Sequence, residues 1–366
     1  MNIKSFSIEG LFNRFNHRIE FKNNITIIIG KNGVGKTTCL ELLNSLFSGD
    51  FSKLREVPYH KITLEFADGE KLMFSYDKCL TVFSQLTQQT YILEKVDCVI
   101  PDFLSAKISQ NVVKFIKSQR LLEYHEEPNY NYLYYVDTKV IRNAQNLSNQ
   151  VKNIIANAAD IAAKLDKTFP SRLLDGNGGK IKKSDELKKN LSDLENKRRE
   201  LSRVGLLTSD IEAEEPLTDN ISEASANVLS LYVQDSWAKL QPYENIAEKL
   251  FLFERIINSR FLYKKMIIDK DKGYFFVSDE GVYIPIDKLS SGEQNELVMF
   301  YNLIFECNSN NLILIDEPEI SLHVEWLNNM LPDLLAISEL NGLSILVATH
   351  SPDFIGEYWN LTTELK

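Results

Sequence analysis

The chain has 366 residues, 44% of them hydrophobic, with 41 Lys and Arg against 51 Asp and Glu for a formal net charge of −10. That mixture belongs to an ordinary globular protein long enough for two lobes or one large domain, and it excludes a globally basic nucleic-acid binder. No apolar run approaches the roughly 20 residues that cross a bilayer, and Met1 to Gly10 lacks a signal-peptide core, so a cytoplasmic protein without a membrane partner is expected.

Taken in chain order, the first strong element is Ile25 to Ile29, an apolar run that reads as a buried strand. It leads into Gly30-Lys31-Asn32-Gly33-Val34-Gly35-Lys36-Thr37, which fits the phosphate-binding spacing G-x-x-x-x-G-K-[ST]. Glycines at 30, 33 and 35 are expected to take positive φ, so that successive N–H groups form a nest for an anion. Lys36 would reach the β- and γ-phosphates and Thr37 would offer its hydroxyl to Mg²⁺. A helix begun at Lys36 and carried by Thr38 to Phe47 would aim its positive end at the same place. The expected nucleotide-binding set is therefore Asn32, Gly33, Val34, Gly35, Lys36, Thr37 and Thr38, with ATP and Mg²⁺ as the cofactors. One turn into that helix, Cys39 reads as a small core residue without chemistry.

Strands follow at Lys61 to Phe66, Lys71 to Tyr76 and Val112 to Ile116, the last ending just before Gln119. From Arg142 to Ile257 the pattern turns helical, with a helix over Asn143 to Leu165 broken by Pro170 to Gly179. In the next helix Leu187, Leu191, Leu194 and Leu201 form an a/d seam interrupted by Arg198, which suggests a short helical hairpin. Its Lys180, Lys182, Lys183, Lys188, Lys189, Lys197, Arg198, Arg199 and Arg203 could contact DNA or RNA phosphates. Interleaved Asp185, Glu186, Asp193, Glu195 and Glu200 equally allow a solvated coiled-coil face. An acidic loop, Asp210 to Glu215, precedes two more helices, about Ile221 to Leu240 and Tyr243 to Ser259, and strands at Lys264 to Ile268 and Tyr274 to Val277.

Leu289-Ser290-Ser291-Gly292-Glu293-Gln294 reads as the start of a helix running to Phe305, with Gly292 leaving room for an incoming phosphate. Leu312 to Ile315 is a second buried strand and ends in Asp316-Glu317-Pro318. Asp316 is placed to hold the Mg²⁺ water shell, and Glu317 to polarise water for in-line attack on a γ-phosphate. A third apolar strand, Leu343 to Ala348, ends at His350, which is expected at a sheet edge near Asp316 and aimed at the γ-phosphate. Cys39, Cys79, Cys98 and Cys307 contain no C-x-x-C, which indicates reduced thiols, and with five scattered histidines they offer no zinc set.

The phosphate loop, Gln119, the LSSGEQ of residues 289 to 294, the strand ending in Asp316-Glu317 and Ala348-Thr349-His350 together resemble an ABC-type ATPase. Glu317-Pro318-Glu319-Ile320-Ser321-Leu322-His323 and Thr349-His350-Ser351-Pro352 are similar to the chromosome-maintenance (SMC) and overcoming-lysogenization-defect (OLD) branch. They look most like stand-alone ATPases of bacterial anti-phage defence operons, Septu-type and retron-associated ones included. The resemblance covers about residues 1 to 140 and 255 to 360.

It implies an α/β P-loop fold of ABC/SMC head type whose two-lobed core is interrupted by an inserted helical hairpin. Residues 1–140 would be lobe I with the P-loop and Q-loop, 141–258 the helical insertion, and 259–366 lobe II with the signature, Walker B, D-loop and H-loop. It further implies that Gln119 touches Mg²⁺ and the attacking water, so that Glu317, His350 and Gln119 are catalytic. Thr37, Gln119 and Asp316 would be the metal set. Subunits would close head to tail, with Ser290, Ser291, Gly292 and Glu293 of one capping the γ-phosphate held by the other, so a homodimer or higher homo-oligomer is expected. Only a short tail follows His350, with no room for the nuclease domain of OLD proteins, so any cutter would be a separate effector, a nuclease or toxin. The alternative is a DNA-repair or chromosome-maintenance clamp that binds DNA directly; a transport ATPase is disfavoured by the turn after Glu317.

Overall fold

Two separate hydrogen-bonded sheets flank the first long helix. In this computed structural model the described residues are 3–22, 24–93, 101–116, 132–175, 184–207, 223–309, 311–320 and 324–366. Gln119, Cys98, Lys180, Lys182, Lys183, the acidic loop and Ser321 to His323 lie outside them. The chain divides into two compact units, Met1–Pro128 with Asn302–Lys366, and Asn129–Tyr301.

The first unit opens with β1 (Ile3–Leu11), β2 (Phe15–Glu20), β3 (Ile25–Ile29), α1 (Lys36–Ser48) and α2 (Ser52–Glu56). It continues through β4 (Lys61–Phe66), β5 (Lys71–Tyr76), β6 (Leu80–Ser84), β7 (Gln89–Leu93), α3 (Asp102–Gln110) and β8 (Val112–Ile116). The second unit contains α4 (Tyr132–Leu174), α5 (Ser184–Arg203), α6 (Glu223–Leu240), α7 (Glu244–Asn258), β9 (Lys264–Asp269), β10 (Gly273–Ser278) and β11 (Tyr283–Ile284). The helix α8 (Ser291–Phe305) carries the chain back to the first unit, which ends with β12 (Asn311–Asp316), α9 (Val324–Asn341), β13 (Ser344–Ala348), α10 (Pro352–Ile355) and β14 (Thr362–Glu364).

In the first unit β2-β1-β4-β5-β6-β7 form an antiparallel sheet, and β14-β3-β13-β12-β8 a parallel one. The strands differ as their surroundings require. β4 alternates half-buried and buried residues, the mark of a sheet with one covered face, whereas every residue of β12 and β13 is buried, as expected for a parallel sheet covered on both sides. Between them, α1 buries Cys39, Leu40, Leu42, Leu43, Leu46 and Phe47 into one core with Phe6, Ile8 and Leu64 of the antiparallel sheet and Ile28, Leu312, Leu314 and Leu346 of the parallel one. Each such Leu or Ile contributes on the order of 2 kcal/mol, which ties the phosphate loop's helix to both sheets.

In the second unit α5 packs against α6, and so does α4, so the leucine seam of α5 meets α6 and not, as the hairpin reading expects, the helix before it. Leu187, Leu191, Leu194 and Leu201 are buried as the seam requires. Arg198, the polar break in that seam, pairs with Glu195 at 2.6 Å and donates to Tyr232 Oη at 3.3 Å. Pro170 does not end the preceding helix as expected; α4 runs on to Leu174. The turn after the proline is held because Arg172 bonds both oxygens of Asp235, at 2.6 and 2.7 Å, and donates to the Leu165 carbonyl at 2.9 Å. Part of the basic face is already committed: Lys197 pairs with Glu200, Arg198 with Glu195 and Arg203 with Glu254.

The long helix α4 is anchored on the β9–β10 hairpin. Ser148 Oγ lies 2.8 Å from the Lys270 carbonyl, and Tyr274 Oη donates to the Val140 carbonyl at 3.1 Å. Gly273 makes this approach possible, since a Cβ there would stand 2.0 Å from the Ala144 carbonyl oxygen, and its φ of +77° is already in the left-handed region. Gly273→Ala is therefore expected to destabilise the protein by ~2–4 kcal/mol, read as a lowered urea midpoint. An unchanged midpoint would show that the hairpin and α4 are not in close contact.

Candidate functional site

The carboxyl ends of three adjacent parallel strands converge on one place. Asp316 of β12 is level with Ala348 of β13, and Ala348 with Ile28 of β3. The chain leaving each strand therefore carries Glu317, Thr349-His350 and Gly30 onto one rim, where open α/β sheets bind ligands. His350 leaves the tip of a central strand, at the carboxyl edge of the sheet and beside Asp316 as expected: β13 has β3 on one side and β12 on the other. Neighbouring β8 leads toward Gln119, outside the described residues.

Asn32, Gly33, Gly35, Lys36, Thr37, Thr38, Glu317 and His350 line one cleft of about 360 Å³, together with Phe12. Thr37 Oγ1 donates to Asp316 Oδ1 at 3.1 Å, joining the first turn of α1 to the tip of β12. Lys36 is buried and its Nζ curls back onto its own loop, donating to the carbonyls of Gly30 at 3.1 Å and Lys31 at 3.5 Å. It also meets His350 Nε2, which lies 3.2 Å from Glu317 Oε1. That nitrogen can accept from the ammonium or, when protonated, donate to the carboxylate, but not both at once. Anything that draws Lys36 away therefore frees His350 to face Glu317.

The backbone of the loop is shaped for a close-lying anion. Gly35 caps α1 at φ +93°, and no side chain caps that helix start. A Cβ on Gly35 would lie 2.7 Å from Leu11 Cδ2. Gly33 also has positive φ, but Gly30 does not, contrary to expectation. Its lack of a side chain serves another purpose: a Cβ there would stand 2.8 Å from the Leu365 carbonyl oxygen and 3.0 Å from Val34 Cγ2. The Leu365 N–H donates to Ile29 O at 2.8 Å, so the chain beyond β14 is pressed against the base of the loop. Val34 turns its side chain into the core, away from the cleft.

Glu317 is a non-glycine residue at φ +46°, in the left-handed region, and its N–H donates to the Ala348 carbonyl at 2.8 Å. Such a conformation costs on the order of 1 kcal/mol and persists only where the surroundings impose it. Here it swings the carboxylate out of the strand line into the cleft. Burial lowers the Lys36 pKa, against the opposing pull of Glu317, Asp316 and Glu319. Burial raises the Asp316 carboxyl to about 6, with Glu317 and Glu41 adding to the rise and the Thr37 hydrogen bond and Lys36 opposing it.

Two supporting residues and one lining residue escape a reading of motifs. His17, on the inward side of β2, is buried and donates from Nε2 to the Val34 carbonyl at 2.8 Å, which fixes its tautomer and props the loop from behind. A histidine at an inward strand position, among the alternating residues of 15 to 20, is the signal that could have found it. Glu319 accepts from Thr349 Oγ1 and from the His350 N–H, both at 2.8 Å; a carboxylate on the turn just past a buried strand is a comparable signal. Phe12, at φ +55° in the β1–β2 turn, leaves no periodic trace.

The signature residues belong to the second unit. Ser290 and Glu293 form a reciprocal cap on α8: Ser290 N–H donates to Glu293 Oε2 at 2.9 Å and Glu293 N–H to Ser290 Oγ at 3.3 Å. Lys264 of β9 closes it with a 2.8 Å ion pair to Glu293. Ser290, Ser291 and Gly292 are exposed, while Gln294 is buried and donates to the Leu289 carbonyl at 3.2 Å.

The profile of the AAA ATPase domain family matches residues 1–355. The chain belongs to that family. No curated protein matches the chain significantly. Among solved structures, the Smc head domain with an extended coiled coil bound to the C-terminal domain of ScpA, from Pyrococcus furiosus, is 12% identical with a TM-score of 0.39. The SMC head domain from Thermotoga maritima is 11% identical with a TM-score of 0.40, and an SmcHead bound to the C-winged helix domain of ScpA is 11% identical with a TM-score of 0.42. Each alignment covers 97% of this chain and 91% of the other. The α/β P-loop core with its helical insertion is thus that of an AAA ATPase domain, assigned from the family match and the strand order.

In this AAA ATPase domain Thr37 and Asp316 supply two hard oxygen donors at one point, a set suited to Mg²⁺, which takes one or two protein carboxylates or hydroxyls and completes its shell with phosphate and water. Among the described residues no cluster of three or more His, Cys, Asp and Glu offers a cage for another metal. Asp316 also yields a pH prediction. Its folded pKa of about 6 lies above the ordinary 3.8, so the folded state holds the extra proton between those values, and the stabilising contribution is lost as pH rises through 6. Without nucleotide or divalent cation, Asp316→Asn should stabilise the protein at about pH 7.5 by on the order of 1–2 kcal/mol and flatten this pH slope. Urea unfolding across that range measures it; a destabilised variant with an unchanged slope would contradict the account.

Proposed function

We propose that this chain binds and hydrolyses ATP in the cleft formed by residues 32–38, Glu317 and His350. The observation that carries this reading is the Thr37–Asp316 hydrogen bond, which brings the phosphate-loop hydroxyl and the strand-tip carboxylate to one point beside Glu317 and Lys36.

Lys36 would exchange the Gly30 and Lys31 carbonyls for phosphate oxygens, and the N–H groups of the uncapped α1 start would hold the β-phosphate. Thr37 and Asp316 would hold Mg²⁺, which when bound neutralises phosphate charge. Glu317 would accept a proton from the water that attacks the γ-phosphate, giving ADP and phosphate, while His350, freed from Lys36, would orient that water or donate to the γ-phosphate. Gln119 is proposed as a further contact to Mg²⁺ and the attacking water. The segments 1–140, 141–258 and 259–366 are proposed as the two ATPase lobes and the insertion between them.

We further infer an ABC/SMC-like, OLD-like mode of action, in which Ser290, Ser291, Gly292 and Glu293 of one subunit cap the γ-phosphate held by another. The exposed start of α8, held rigid by its reciprocal cap and Lys264, supports this reading. ATP would then close a homodimer and hydrolysis would open it. The biological role proposed is the control of a separate effector, a nuclease or toxin, in cytoplasmic anti-phage defence. A clamp that binds DNA directly is the second reading; the ion pairs of Lys197, Arg198 and Arg203 count against it by neutralising part of the basic face.

Lys36→Ala should abolish ATP binding measured calorimetrically. Glu317→Gln should bind ATP, hydrolyse it at least about 100-fold more slowly and accumulate as a dimer in light scattering. A Glu317→Gln protein that hydrolyses ATP at the normal rate would remove Glu317 as the base. Copurification with a stoichiometric nuclease would support the defence reading, and salt-sensitive duplex DNA binding by the chain alone would favour the clamp.

A further inference from the structure

Behind the cleft, one carboxylate has contacts that the hydrolytic scheme leaves unused. Glu319 lies two residues past Glu317, on the short turn Pro318–Ile320 that follows β12. Its Oε1 accepts two hydrogen bonds from the next strand's exit, one from the fully buried Thr349 hydroxyl and one from the His350 backbone N–H, each 2.8 Å long. Thr349 Oγ1 in turn accepts from the Ser351 N–H at 3.0 Å, and Ser351 Oγ caps α10 by accepting from Phe354 N–H. The backbone at His350 is therefore fastened to Glu319 directly, and that at Ser351 through the Thr349 hydroxyl.

What that fastening accomplishes is visible at the ring. With its backbone held, His350 places Nε2 between Lys36 Nζ and Glu317 Oε1. Its ring is about one-third exposed, at 31%, so packing alone does not immobilise it. The other oxygen of Glu319, Oε2, is buried without a hydrogen-bond partner among the described residues. Leaving a buried carboxylate oxygen unpaired is unfavourable, and a residue required only to fill space there would not be a carboxylate.

We propose that Glu319 is a positioning residue for ATP hydrolysis, holding the Thr349–His350 turn so that the imidazole meets Lys36 and Glu317. This inference rests on the ATPase reading of the cleft. Glu319 touches neither nucleotide nor water in this scheme; it acts through His350. The two oxygens make the proposal separable from simple charge. In Glu319→Gln the amide oxygen still accepts from Thr349 and His350, and the amide nitrogen takes the place of unpartnered Oε2. In Glu319→Ala both bonds are lost.

The test measures ATP turnover and the His350 imidazole resonances in the full chain, wild type beside Glu319→Gln and Glu319→Ala. His350→Ala identifies which of the five histidines is being seen. Glu319→Ala should lower kcat about 10- to 100-fold with KM changed by less than about threefold, because a misplaced group affects the reacting geometry more than ground-state binding. Its His350 signal should collapse to that of a freely rotating ring, and Glu319→Gln should keep both the wild-type signal and most of kcat. An unchanged kcat and ring signal in Glu319→Ala would overturn the proposal, as would a Glu319→Gln protein as impaired as Glu319→Ala, which would make the charge decisive. If the wild type itself shows no ATP turnover, the ATPase reading fails, and the imidazole signals of the three proteins decide the positioning role by themselves.

Discussion

The candidate site depends on the in-register pairing of three buried parallel strands. Ile28, Ala348 and Asp316 lie in one row across the sheet, so the loops that follow begin at the same height. A slip of one residue in β12 would move Asp316 away from Thr37 and invert every side chain of a strand that is buried on both faces. Such a slip would be heavily penalised, because Leu312 and Leu314 belong to the same core as the helix that begins at Lys36. The hydrophobic pattern that folds the sheet is thus also what assembles the polar cleft at its rim.

The parts legible in the sequence are those written in local residues. The strand Ile25 to Ile29, the helix after Lys36, the strand ending at Asp316 and the helix starting near Ser291 follow from periodicity and capping chemistry, and the structure has all of them. The S-x-x-E spacing at Ser290 and Glu293 announces a reciprocal cap, though the partner that closes it, Lys264, is distant in sequence. Pro170 misled because a proline removes one helical hydrogen bond, while the Arg172–Asp235 pair that holds the next turn spans 63 residues.

Gly30 shows a different limit. Its place in the phosphate loop is plain in the sequence, but the physical reason for a glycine there is not a left-handed backbone. It is the carbonyl of Leu365, brought against it because β14 pairs alongside β3. His17 and Glu319 were hidden for the same cause: each acts on a backbone group far along the chain, Val34 in one case and His350 in the other. Pairings of this kind are set by topology, and no window of neighbouring residues contains them.

Lys36, His350 and Glu317 form the part of this arrangement that should respond to nucleotide. Their mutual contacts occupy the ammonium that phosphate would claim, so binding must rearrange the cleft without disturbing the strands beneath. Hydrogen–deuterium exchange of the wild-type chain, with and without ATP and Mg²⁺, tests this most directly. Slowed exchange in the first unit confined to peptides covering 30–38, 316–319 and 349–351, with β3, β12 and β13 unchanged, is the predicted result. No slowing at those three segments, or protection centred elsewhere in that unit, would contradict the assignment of the cleft as the nucleotide site.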